Sequence, residues 1–428
     1  MMRWFSIIVA AVCSVNMVAA ELPVVRYIRA YGGNDERRPP VLILESNSST
    51  TQPTVGDGTV TVEFDLQHPT IPNIFARVIH CTPDWQESTN GFLTDITNRT
   101  MLFDWTVAPA RSRWHTYRGK IAIPNPQLNV RFSGNWLLRL VDMDTETTLA
   151  ETRFFAVQPQ VTTRMNFFTE FYQPRSRVSG AGLLLEAVVQ ARTAALVDGF
   201  QHTTVFYRNH RWFEPFPVST QRLSIRLDRQ ISASSMGMLT AGKVSRIGPI
   251  PAENEYRILD LTNTGIFPST GAPVRMPMSD IRRLGNFLQR ADDGALITSF
   301  VSSADDEYVP VEILLDPVPG PVDDDVFLVG SFNNWRPTRH WQMSYDEGMR
   351  LYRLRQWFRR GRHNYMYATG RLNADDGSVT DLRFEDFEGN TASAGHGFLA
   401  FVYYRVQDFG GYDGIIGVAA SNIYQGGR

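Results

Sequence analysis

The chain has 428 residues, 43% hydrophobic and 20% charged, proportions that exclude a disordered or fibrous protein and leave room for roughly two to four domains. Forty-two lysines and arginines stand against forty-four aspartates and glutamates, and a formal net charge of −2 excludes a chain-wide electrostatic footprint for nucleic acid or anionic membrane. After the first twenty residues no segment offers the uninterrupted run of about eighteen apolar residues that a membrane-spanning helix needs.

Residues 1–20 read as a secretory signal peptide, with Arg3 as the basic start, "WFSIIVAAVCSV" as the apolar stretch and Val18-Ala19-Ala20 as the small-residue cleavage site. The mature chain is expected to begin at Glu21. Val12 ahead of Cys13 is bulkier than lipid-anchor processing accepts. Cleavage leaves Cys81 as the single cysteine, so the fold must be held by burial and not by a disulfide. His80 beside it would activate the thiol only if both faced one way; neighbours in a strand face opposite ways, and Cys81 is expected to be a packed core thiol.

Strand periodicity dominates the mature chain. In "VTVEFDL", Val60, Val62, Phe64 and Leu66 alternate with Thr61, Glu63 and Asp65, the pattern of a half-buried antiparallel strand. "NWLLRLV" places Trp136, Leu138 and Leu140 on one face, and "QRLSIRL" does the same with Leu223, Ile225 and Leu227. "LLLEAVVQARTAALVDG", residues 183–199, has the intrinsic propensity of a helix instead. "VFLVGSF" is apolar on both faces, as a central strand covered on two sides would be. Proline interrupts the pattern in "VQPQV" (157–161) and "DPVPGPVDDD" (316–325). The expected architecture is all-β, three tandem immunoglobulin-like or E-set-type β-sandwiches spanning 21–158, 159–318 and 319–428.

Signatures of catalysis are missing: no His-Glu-x-x-His, no paired Cys-x-x-Cys, no Gly-x-Ser-x-Gly and no phosphate-binding loop. No catalytic, metal or cofactor residue is assigned. "GHGFLA" near residue 395 precedes a strand and reads as a turn. The acidic runs Asp305-Asp306-Glu307, Asp323-Asp324-Asp325 and Asp375-Asp376 lack the ligand spacing of a calcium loop and read as solvated turns. Two surfaces remain. In "RLYRLRQWFRRGR" (350–362) six arginines occur without an acid, and alternation sets Tyr352, Leu354 and Phe358 against Arg353, Arg355 and Trp357. Arg353, Arg355, Arg359 and Arg360 are candidate partner-binding residues, since guanidinium forks suit an acidic protein surface. In "FLVGSFNNWRPT" (327–338), Trp335, with Trp341 as a second platform, would stack on sugar rings as in starch- and glycogen-binding modules; the alternative is that its indole caps a sandwich core.

Four motifs in order resemble the plug protein of the type IX secretion system. Ile79, His80, Cys81, Asp84 and Trp85 match an Ile-His-Cys-x-x-Asp-Trp strand end; Pro124-Asn125 and Ser133-Gly134-Asn135 match the next motif, with Trp136 in place of Tyr. "NEYRILDLTN" (254–263) is similar to the family's Asn-Glu-Phe-Arg-x-Phe-Asp strand, and "FVYYR" and "YDGIIGV" to its closing strands. The resemblance implies strands, not a helix, over 183–199. It implies a non-enzymatic periplasmic protein, without cofactor or nucleic-acid partner, peripheral to the outer membrane, that docks on and closes the inner opening of the translocon barrel. The alternatives are a periplasmic carbohydrate-binding protein using the last domain, and an export chaperone with an open sheet edge.

Overall fold

The computed structural model describes residues 22–44, 55–174, 179–191, 201–238, 242–288 and 293–422. The signal-peptide reading and residues 192–199 of the helix-or-strand segment lie outside them. Among the described residues the protein is all-β, with two four-stranded and two nine-stranded sheets.

The first small sheet orders Val24–Gly32, Val60–Gln67, Tyr117–Ile123 and Asp104–Val107. Val60, Val62, Phe64 and Leu66 point into a core shared with Ile74, Ala76, Leu138, Leu140, Trp136 and Phe154 of the first large sheet. Alternation of β-branched and aromatic residues is what a pleated, one-side-buried strand selects.

That large sheet is assembled from distant parts of the chain. Ile74–Cys81, Gly134–Asp142 and Thr148–Val157 form one half; Gln201–Arg208, Pro215–Ser219, Gly397–Val406 and Tyr412–Asn422 form the other. The halves are joined in the ladder by one residue pair, Ile415 opposite Val157. About this joint the sheet turns back on itself, because Phe155 of one half stacks on Phe401 of the other at 4.1 Å between ring centres. Cys81, Leu137, Val205, Tyr207, Leu399 and Ile415 fill the space between the halves. The outward face of the second half carries Phe206, Phe398 and Ala400, covered by Leu183, Leu185, Ile247 and Ile250 of the second small sheet. Four β-layers therefore stack with three cores between them.

The second small sheet contains Ala181–Gln190, paired in ten consecutive positions with Thr162–Phe171 and on its other side with Gly242–Pro251. Local helix propensity is overridden over this stretch because Leu183, Leu185, Ala187 and Val189, two residues apart, are the ones the core receives. "QRLSIRL" behaves otherwise than its pattern predicts. Leu223, Ile225 and Leu227 are half-buried and alternate with exposed residues, yet the segment joins no sheet; Ser224 bonds through its N–H and hydroxyl to Asp84. Burial on one side produced the alternation without a ladder.

The last sandwich is built by Asp325–Gly330, Leu351–Arg359, Arg362–Leu372 and Tyr308–Asp316. Val326 and Leu328 face one core and Phe327 and Val329 another, as expected of a doubly covered central strand. Arg257–Asp260 pairs with this sheet and not with the middle unit. Conversely Gly397–Val406, near the C-terminus, pairs along Gln201–Arg208. The three contiguous segments expected from the sequence thus do not coincide with the sheets, because non-local strand pairing decides sheet membership and proline punctuation does not.

Candidate docking surface

Two buried ionic seams hold these parts together, and they account for several of the charged residues that the sequence left on presumed surfaces. Glu63 and Asp65 project from the outer face of the first small sheet. That face is not wet: both side chains are buried, against the last sandwich. Arg29 bonds Glu63 at 2.8 Å, Arg118 bonds Asp65 at 2.5 Å, and Arg359 reaches across from the sandwich to Glu63. The Tyr308 hydroxyl donates to Asp65 at 2.9 Å and the Tyr27 hydroxyl to the Ser331 carbonyl at 2.7 Å. Burial pushes the Asp65 carboxyl up, but Arg118 and Arg359 outweigh it and hold the group down to about 2. Glu63, between Arg29 and Arg359, is likewise held well below the usual carboxylate range despite burial. Such a network tolerates burial because every charge meets an opposite one and a hydrogen bond.

Arg359 is therefore a seam residue and not a docking residue, only 3% exposed. Arg360 is buried too, donating to the carbonyls of Leu261 and Phe267. The acidic run 305–307 is corrected with them. Asp306 pairs with Arg118, Glu307 is buried against Ser269 and Arg111, and only Asp305 behaves as a solvated turn residue, in a pair with Arg111.

The second seam encloses Trp335. Its indole N–H donates to the Gly294 carbonyl at 3.0 Å, and Arg211 lies 4.4 Å above the ring while gripping Glu253 through two bonds of 2.9 and 2.7 Å. At 6% exposure Trp335 offers no face to a sugar. Trp341 is half-buried, stacked on Phe332 at 4.6 Å. The two indoles pack on different cores; the "FNNW" turn is used to fasten the last sandwich.

The motif residues near the end of the Ile74–Cys81 strand also fasten layers. The Trp85 indole donates to the Tyr207 hydroxyl at 2.8 Å; Asn135 donates to the Thr82 carbonyl and accepts from the Tyr403 hydroxyl at 2.6 Å. At Gly134 the backbone has φ +140°, and a side chain there would strike the His80 ring and the Asp413 carbonyl, which explains glycine between Ser133 and Asn135. Cys81 faces the core between the sheet halves while His80 packs edge-on against Trp136 and Tyr412, so the two groups do separate to opposite faces. Burial pushes the Cys81 thiol up to about 12.

What remains on the surface is smaller than the sequence suggested and includes a residue it missed. Arg355 is exposed and Arg353 half-buried, on the strand Leu351–Arg359. Both bond one oxygen of Glu312, at 2.9 and 2.6 Å, and Arg275 bonds the other oxygen at 2.9 Å. Arg275 and Glu312 come from separate strands, Val274–Arg275 and Tyr308–Asp316, laid side by side in register. No local signal in the sequence connects them.

Among the described residues no group of three or more His, Cys, Asp or Glu stands ready to hold a metal ion, and no helix is long and apolar enough to cross a membrane. The arrangement defines a class: an all-β protein of several sheets, interlocked through buried ion pairs. Comparison with known proteins narrows it. Residues 28–158 match the family model described as type 9 secretion system plug protein 1st domain, and this part of the chain is a domain of that type IX secretion system plug family. A crystal structure of a hypothetical protein from Parabacteroides merdae has the same fold, with a TM-score of 0.70 at 17% identity over 93% of this chain and 97% of that one. Dimeric latent PorU from Porphyromonas gingivalis aligns at a TM-score of 0.15 and 10% identity, over 93% of this chain and 33% of that one, too little to carry an argument. Comparison with curated proteins gives no match.

Proposed function

We propose that the protein is a non-enzymatic periplasmic plug that docks on and closes the inner opening of the outer-membrane translocon barrel of the type IX secretion system. The observation that carries this reading is the plug-family first domain over residues 28–158. The fold supports it physically. A stopper for a wide aqueous pore has to resist deformation, and here the first domain is tied to the second half of the large sheet by Trp85 and Asn135 and to the last sandwich by Arg359. Closure also has to be reversible, which suits an interface of modest area with a polar rim. The carbohydrate-binding alternative loses its main platform with the burial of Trp335.

The test is to isolate the tagged protein from envelope extracts of its own organism, identify what co-purifies, and add the purified protein to the isolated barrel in a planar bilayer. Recovery of a large outer-membrane barrel and a fall in its conductance are expected. Undiminished conductance with no barrel recovered would overturn the proposal.

A further inference from the structure

We propose that the arginine tripod on Glu312, formed by Arg275, Arg353 and Arg355, is a docking surface for an acidic segment of a partner polypeptide. The inference goes beyond the plug reading: it names the chemistry of a contact and does not depend on the partner's being a barrel.

Three features carry it. First, the charges are layered. Glu312 is 6% exposed, whereas the Arg275 and Arg355 side chains are 54% and 59% exposed, so the carboxylate lies underneath and guanidinium edges face water. Burial would push Glu312 up, but the hydrogen bonds from the three arginines prevail and hold it at about 2, so the base of the tripod stays ionised. Second, the cations are oriented before any partner arrives. Arg275 and Arg355 each spend Nε on Glu312, which keeps the terminal nitrogens of both exposed side chains out of that bond. Their residues sit directly opposite Glu312 across neighbouring strands, which fixes their spacing. Forked guanidiniums held this way match carboxylates in pairs and lose little freedom on binding. Third, the surface stands apart from the rest of the molecule's chemistry. Elsewhere arginines such as Arg29, Arg118, Arg211 and Arg359 are buried in internal pairs, while Arg275 and Arg355 stay exposed and Arg353, which also bonds Asp346 at 3.1 Å, is half-buried beside them. On the same strand face Trp357 stacks on Trp114 at 5.4 Å with Arg26 over that ring, a half-buried aromatic pair packed against Tyr27 and Tyr308 that leaves only a partly exposed apolar edge beside the cations. A carboxylate-rich chain with interspersed apolar side chains fits both.

The probe is a fluorescein-labelled peptide of alternating glutamate and valine, with its lysine counterpart as control, titrated against the full-length protein by anisotropy at low salt. The glutamate peptide is expected to bind, the lysine peptide not, and the affinity to fall as salt screens the contact. Arg275→Glu with Arg355→Glu should weaken binding about tenfold or more. Arg275→Gln with Arg355→Gln, which removes charge without adding repulsion and keeps an amide donor at each position, should weaken it less and keep a native circular-dichroism spectrum. Equal binding of the two peptides, or binding untouched by either double substitution, would overturn the proposal. Competition by inorganic sulfate at matched charge would assign the tripod to small anions and overturn it as well. Pore closure by the double variants reports separately on the plug reading.

Discussion

Arg359 is where the interlocking can be measured. Its guanidinium pairs with Glu63 and lies 3.8 Å from Asp65 and 3.6 Å from Asp306, at the centre of the seam between the first small sheet and the last sandwich. Arg359→Ala leaves Glu63 with Arg29 at 2.8 Å and Lys120 at 3.2 Å, and Asp65 with Arg118 and the Tyr308 hydroxyl. Removing one partner from a buried network costs about 3–5 kcal/mol, and with these remaining partners the lower end applies, about 3 kcal/mol. At about 1.4 kcal/mol per decade, the equilibrium between closed and open seam shifts roughly a hundredfold. Hydrogen exchange is the assay: amides of Val60–Gln67 and Leu351–Arg359 should lose protection together while the core between the two halves of the large sheet keeps its own. Arg371→Gln, an exposed residue of the same sandwich, is the control and should change nothing. Unchanged protection at the seam in Arg359→Ala would refute the view that buried charge locks the sandwich in place.

Acid should open the molecule in two stages. Burial lowers His80, His115 and His363 to about 4 and His396 to about 3, below their unfolded values near 6.5, so their neutral forms stabilise the fold fully above about pH 6.5 and lose that contribution as pH falls toward 4. Asp65, at about 2 in the fold, adds stability present above its unfolded value near 4 and lost between about pH 4 and 2; urea midpoints should hold from pH 8 to about 6.5 and fall from there to pH 3, and a flat profile below pH 6.5 would contradict the burial of these groups. The Cys81 thiol should resist a disulfide reagent in the native protein and react within the dead time in urea; rapid native reaction would place it outside the core. Trp335→Ala should cost about 3–5 kcal/mol through the emptied volume and the orphaned Gly294 carbonyl, read by the urea midpoint. Maltohexaose should leave tryptophan fluorescence of the parent protein unchanged, and a saturable shift would restore the sugar reading.

The alternation of Val60, Val62, Phe64 and Leu66 and the doubly apolar run from Val326 to Val329 were readable directly, because a strand's period of two is local and needs no knowledge of the partner. So was the separation of His80 from Cys81. The same period cannot say what lies against the polar face. Glu63, Asp65, Arg359 and Arg360 carry the pattern of solvated residues and are buried, since another part of the chain supplies their counter-charges. "QRLSIRL" shows the converse limit, a correct pattern of burial without the ladder it normally accompanies.

The sequence by itself determined that the protein is built of strands, that Cys81 is a core thiol, and which residues carry the plug-family resemblance. Tertiary structure alone decided that the closing strands join the middle of the chain, that the charged faces meet each other, and that Arg275 stands beside Arg355 over Glu312. The physical reason is range. Backbone pleating imposes its repeat on neighbours two residues apart, whereas the pairing of strands and of buried charges depends on residues tens to hundreds of positions away, and no local pattern encodes which of them will arrive.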